Sequence, residues 1–166
     1  NATTNIILSR MENGESYEDA VKYCQSIGVA ETDPTNDVDG WDAAIKVAAL
    51  VTVLMDTPMT PQQVKPTGIR GITSEMITKA KANGKRYKLV CTAEKVGDIV
   101  EASVAPQLVD SSSPLYGMMN SSTGLTLRTD VILDYSITLS EKPGVQGGTV
   151  ETAYGLFADF VNLAGQ

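Results

Sequence analysis

The stretch from Ala43 to Met55 constrains this chain more than any other, because every residue in it is apolar except Lys46 and Thr52. It is long enough for several helical turns, yet shorter than the roughly 18 apolar residues a membrane span requires. It therefore reads as a helix buried nearly all round, with other elements packed on several sides. Lys46 is the only charge between Asp42 and Asp56. A buried ammonium needs a partner, and Asp42, four residues earlier on the same helical face, can supply one.

The rest of the pattern places helices first and strands later. Apolar spacing predicts a helix from Thr3 to Met11, followed by an Asn13-Gly14 turn. Ser16 can cap a second helix, with Glu18 and Asp19 in its first turn and Gly28 as its stop. An acidic loop from Glu31 to Asp42 leads into the apolar helix. After a Thr57 to Pro61 loop, Thr73 or Ser74 caps a helix through Ala82, which Asn83-Gly84 ends. Strands are predicted at Arg86 to Ala93 and Ile99 to Ala105 around a Gly97 turn, and again at Gly124 to Arg128 and Val131 to Leu139. A short helix near Leu115 to Met119 lies between the two pairs, and Val150 to Leu163 closes the chain with a helix. This order predicts an α+β fold: a mixed, largely antiparallel sheet with helices packed on one face. The βαβ alternation of a doubly wound nucleotide fold is missing.

With 166 residues, 42% of them hydrophobic, the chain is about one ordinary domain. A net charge of -7 argues against nucleic acid and anionic membranes as partners. Asn1 to Arg10 lacks the basic leader and long apolar block of a secretory signal, so a cytoplasmic location is expected. The two cysteines, Cys24 and Cys91, are expected to be ordinary buried thiols. Histidine is absent, which excludes Ser-His-Asp and Cys-His catalysis and most zinc sites, and no metal is expected. Acid-base chemistry must come from carboxylates, lysine, tyrosine or a bound partner.

The segment from Gly28 to Lys46 concentrates the chemistry. Lys46 could donate a proton to an oxygen gaining charge, with the upstream carboxylates holding a substrate ammonium group. The same spacing also suits a plain ion pair at the start of a core helix beside a solvated acidic loop, and spacing alone does not choose.

This segment resembles the homoserine dehydrogenase signature, in which an acidic Asp-Pro loop leads into Gly-x-Asp-(x)3-Lys; here it is Asp33-Pro34 followed by Gly40-Trp41-Asp42 and Lys46. Asn1-Ala2-Thr3-Thr4-Asn5 is similar to that family's Asn-Gly-Thr-Thr-Asn segment, with Ala2 in place of glycine. Gly68-Ile69-Arg70-Gly71-Ile72, Tyr87 to Val90, Val104-Ala105-Pro106, Pro114-Leu115 and Asn120 keep the family's order. Gly147 to Leu156 is similar to its closing glycine-rich motif, with Glu151 and Gln146 as departures.

The resemblance implies interconversion of aspartate semialdehyde and homoserine with NAD(P)H, on the route to threonine and methionine. By position, Lys46 would be the catalytic proton donor. Glu31, Asp37 and Asp42 would bind the amino end of the substrate, and Thr3 would line the same pocket. Gly28 and Gly148 would lie against the cofactor. Residues 1–166 would then form a catalytic and dimerisation domain, with 147–166 returning to pack on a nucleotide-binding half. The Gly-rich fingerprint of that half does not occur here, so the chain alone is expected to bind no coenzyme and to be inactive. A homodimer is expected. Tyr154, Phe157, Phe160 and Val161 are expected to repack within the domain or against another molecule. The competing expectation is a stand-alone module that binds an amino acid or mediates oligomerisation without catalysis; a third is a related dehydrogenase with another substrate.

Overall fold

The computed structural model describes residues 1–140 and 149–165. The chain opens with α1 (Ala2–Glu12), whose first turn is fixed by Asn1, its side chain accepting from the Thr4 amide at 2.9 Å. Ser16 caps α2 (Tyr17–Ser26) as its sequence suggested. The acidic segment, expected to be loop throughout, is interrupted by a single helical turn, α3 (Thr35–Val38). Then come α4 (Trp41–Leu54), a 3-10 turn at Pro61–Gln63, the two-residue strand β1 (Lys65–Pro66) and α5 (Ser74–Ala82). Two long strands follow, β2 (Arg86–Val96) and β3 (Ile99–Val109). A 3-10 turn at Pro114–Gly117 leads to β4 (Thr123–Leu127) and β5 (Tyr135–Leu139), and α6 (Thr149–Ala164) ends the chain.

The expected α+β class holds, with the strands divided between two sheets. β2 and β3 pair antiparallel from Val96↔Ile99 at the Gly97 turn to Arg86↔Val109 at the far end, and β1 adds to β3 in parallel. β3 runs through Pro106 to Val109, beyond the expected end at Ala105. β1 ends opposite Val104, so β3 is an edge strand at Pro106 and a missing N–H is tolerated there. β4 and β5 form a separate ribbon. β5 begins four residues later than expected because the Thr129 hydroxyl accepts from the Val131 and Ile132 amides, holding that segment as a turn.

Two cores fill the space between these elements. One gathers Ile6, Ile7, Leu8 and Met11 of α1 with Ala20, Cys24, Val38, Ile69, Ile72 and Ile77. The other sets Ala43, Ala44, Val47, Ala48 and Val51 of α4 against Val64, Ala102 and Val104. Leu89 of β2 packs against both. Each fully buried aliphatic side chain contributes about 1.5–3 kcal/mol.

Two expectations fail, and a third is narrowed. α4 is not buried all round: Ile45, Leu50, Val53 and Leu54 are exposed, because α3, the sheet and the 3-10 turn together cover only the face that carries Ala43, Ala44, Val47, Ala48 and Val51. Cys24 is buried, but Cys91, on β2, is exposed. In α6, Tyr154, Phe157, Phe160 and Val161 are all exposed, so of the two expected outcomes, repacking within the domain or against another molecule, the first does not occur among the described residues.

Gly68 allows the closest backbone approach of any glycine among the described residues. A Cβ there would fall 2.0 Å from the Val38 carbonyl oxygen, so only glycine lets this loop segment lie on α3. The Ile69 amide then donates to Val38 O at 2.8 Å, and Arg70 pairs with Asp39 and donates to Thr35 Oγ1 at 3.1 Å. The 68–70 segment thus clasps α3 and fixes the turn that carries Asp37. No helix among the described residues is long and apolar enough to cross a membrane.

Candidate active site

Three helices, α1, α3 and α4, begin close together. Asn1 projects its side-chain amide across the gap between the two acidic segments. Its Nδ2 donates to Asp37 Oδ1 at 2.8 Å and to Asp42 Oδ2 at 2.7 Å. An amide NH₂ has two hydrogens, so each carboxylate takes one. On the α3 side, Thr3 Oγ1 donates to Asp37 Oδ2 at 3.1 Å and reaches Val29 O at 3.4 Å. On the α4 side, Lys46 Nζ lies 2.7 Å from Asp42 Oδ2, one helical turn away. A continuous path of contacts therefore runs from Lys46 through Asp42, Asn1 and Asp37 to Thr3.

Burial works against ionisation of Asp42, but hydrogen bonds from Lys46 and Asn1 outweigh it and hold its carboxyl below the ordinary aspartate value. Asp42 is thus a carboxylate at neutral pH. Lys46 departs from expectation: its side chain is 62% exposed rather than buried, since it leaves α4 on the side the sheet does not cover. An exposed ion pair adds little stability, on the order of 0–1 kcal/mol, and leaves the ammonium free to meet a ligand from solvent.

The five acidic residues of the 31–42 segment separate by role. Asp33 accepts from the Thr35 amide and hydroxyl, at 3.1 and 2.5 Å, which starts α3 and lowers its own pKa. Asp39 is taken by Arg70. Asp37 and Asp42 meet at Asn1. Glu31 is exposed, and among the described residues its carboxylate joins none of these contacts; only its carbonyl is used, accepting from Gln25 Nε2 at 3.2 Å. Among the described residues no group of three acidic or cysteine side chains is arranged to hold a metal ion.

Gly28 follows α2 with φ +72°, and a Cβ built there would meet nothing within 4 Å. Its backbone conformation explains the glycine as a helix stop, and the open space beside it leaves room for a ligand's close approach. Gly148 lies outside the described residues. Asn1 is the site residue the sequence reading missed. The signal was present in Asn1-Ala2-Thr3-Thr4-Asn5, but only Thr3 was drawn from it.

Residues 1–161 match the family model described as homoserine dehydrogenase. The NAD(+)-dependent homoserine dehydrogenase of Pseudomonas canavaninivorans is 32% identical over 98% of this chain and 45% of its own length. The homoserine dehydrogenase of Bacillus subtilis is 35% identical over 97% of this chain and 36% of its own. Among solved structures, that of Staphylococcus aureus homoserine dehydrogenase at pH 6.0 superposes with a TM-score of 0.88 at 30% identity, covering 99% of this chain and 41% of that one. A hyperthermophilic archaeal homoserine dehydrogenase in complex with NADPH superposes with a TM-score of 0.74 at 30% identity, covering 97% of this chain and 44% of its own. The chain spans less than half the length of each of these relatives. By sequence and by fold, it belongs to the homoserine dehydrogenase family.

Proposed function

We propose that this chain is the substrate-binding and dimerising half of a homoserine dehydrogenase, which reduces L-aspartate 4-semialdehyde to L-homoserine with NAD(P)H in the cytoplasm, a step toward threonine and methionine. The observation that carries this reading is the path of contacts from Lys46 to Thr3 in a chain of that family. The coenzyme, when bound, supplies the hydride that reduces the aldehyde carbon. The aldehyde oxygen then needs a proton, and Lys46 donates it from Nζ, with Asp42 fixing the direction of the ammonium. Asp37 and Asp42 take the substrate's ammonium group, and Glu31 joins them from the exposed loop. Asn1 and Thr3 hold Asp37 in place from the other side. Gly28 and Gly148 lie against the coenzyme, whose remaining contacts come from a nucleotide-binding half. Residues 147–166 pack on that half and give the apolar residues of α6 their cover. Two copies associate through the sheet.

The test is NAD(P)H-dependent reduction of the semialdehyde by the full-length parent, beside the same protein with Lys46→Ala. A kcat loss of about 10²-fold or more, with folding intact, is expected of a general acid. Unchanged turnover would leave Lys46 as an ion-pair partner, and a parent without activity would move the reading to a non-catalytic amino-acid-binding module. Residues 1–166 alone should show no turnover, and any measurable rate would contradict the need for a second half.

A further inference from the structure

A second polar cluster lies one turn along α1 from the candidate site. Asn1 and Asn5 are four residues apart and so leave the same face of the helix. Asn5 Nδ2 donates to the carbonyls of Asn120 at 2.8 Å and Ser122 at 3.3 Å, while its Oδ1 accepts from Lys88 Nζ at 2.8 Å. One turn further, Ser9 Oγ accepts from the Asn120 amide at 3.2 Å. Lys88, on β2, is 5% exposed, and its ammonium also donates to the Met118 carbonyl. Among the described residues no carboxylate comes within ion-pairing distance of it, so neutral acceptors alone serve a buried cation. Burial accordingly pulls its pKa down to about 8, with Glu12 acting against the shift and Arg86 with it.

An apolar side chain of similar volume would fill this position at lower cost. What the cation adds is direction: it fixes which way the Asn5 amide faces, and through Asn5 it ties α1 to β2 and to the 118–122 segment. α1 is buried along most of its length, which makes it a rigid carrier of the side chains at its start. Its rotation and height therefore decide where Asn1 and Thr3 stand, and the Thr3–Asp37 bond at 3.1 Å has little slack.

We propose that Lys88 and Asn5 are positioning residues for the substrate carboxylates, setting α1 so that Asn1 and Thr3 hold Asp37 and Asp42 in register for the ligand's ammonium group. This rests on the reading of Asp37 and Asp42 given above.

The experiment is steady-state kinetics of the full-length parent carrying Lys88→Met, Lys88→Arg, Asn5→Ala or the Lys88→Met/Asn5→Ala pair, with Asp42→Asn beside them. Lys88→Met is expected to raise KM for the semialdehyde about tenfold, the size expected of a small displacement of positioning groups. KM for the coenzyme should stay put and kcat should change less than about twofold, while Lys88→Arg restores much of the loss. The pair should be no worse than either single change, because the two residues act as one unit. Should Lys88→Met not fold, Asn5→Ala, which keeps the lysine, carries the same expectation. A reduced kcat that tracks a smaller folded fraction, with KM unchanged, would reduce the cluster to a packing device and overturn the proposal. Asp42→Asn separates the two readings: a raised KM there with none in Lys88→Met sinks only the positioning role, whereas no change in Asp42→Asn sinks the substrate site itself.

Discussion

α1 and α4 exchange the places their compositions assign them. α4 is the more apolar helix, yet only five of its fourteen residues are buried, whereas seven of the eleven in α1 are, including the polar Thr3, Thr4 and Ser9. The difference lies in neighbours. α1 is packed by α2, α3, α5 and β2 with buried residues around most of its circumference, while α4, although it touches α3, β1, β2, β3 and one 3-10 turn, buries only the face that carries Ala43, Ala44, Val47, Ala48 and Val51. Burial is set by how many directions the fold covers, and hydropathy records only how many directions could be covered. The uncovered side of α4 is an apolar surface of the kind that marks an interface.

The sharpest way to break this comparison is to hollow each helix. Ile7→Ala in α1, at a site with no exposure, should cost about 2–5 kcal/mol by urea unfolding, because a cavity forms where nothing collapses. Val53→Ala in α4, 78% exposed, should stay within about 0.5 kcal/mol. Equal costs would mean that the uncovered face of α4 is packed in solution by something else. In the full-length parent, Val53→Asp extends the test: it should leave residues 1–166 unaffected and destabilise the parent, if the rest of the protein covers that face.

A smaller effect is expected at the end of α1. Asn1→Ala removes the cap and the link between Asp37 and Asp42, and should cost about 1 kcal/mol. Lys46→Ala, at the exposed end of the same path, should leave the unfolding midpoint within the 0–1 kcal/mol typical of surface pairs. A larger stability loss from Lys46→Ala than from Asn1→Ala would reverse the assignment of structural and chemical ends.

Lys88 gives the comparison a pH signature. Its folded pKa is lowered from 10.5 to about 8. Below pH 8 both folded and unfolded chains hold the proton, and the cost of burying the charge is fully present. Between about 8 and 10.5 the unfolded chain holds more protons, so stability rises with pH. Unfolding followed on both sides of pH 8 should show this rise in the native sequence and its loss in Lys88→Met. Parallel pH profiles would mean that the ammonium is solvated.

The elements were largely legible because their signals are local. Ser16 and Thr73 cap the helices they were expected to cap, and Gly97 turns the hairpin it was expected to turn. α3 escaped notice because one helical turn has no periodicity, and it exists through the Gly68 approach and the Arg70 clasp, which are far away in sequence. At the site, Asp42 and Lys46 were visible as an i,i+4 pair. The sorting of the acidic loop into Asp33 and Asp39 on one hand and Asp37 and Asp42 on the other depends on Thr35, Arg70 and Asn1, which only the tertiary structure brings near. The exposure of Lys46 was likewise set by which side of α4 the sheet occupies.

The two cores that meet at Leu89 have one more consequence. Thr3 and Asp37 stand on elements of the first core, Asp42 and Lys46 on the helix of the second, so the site spans the seam between them. A ligand gripped by both carboxylates would act as a rivet across that seam, and backbone amides along it should exchange with deuterium more slowly once it is in place.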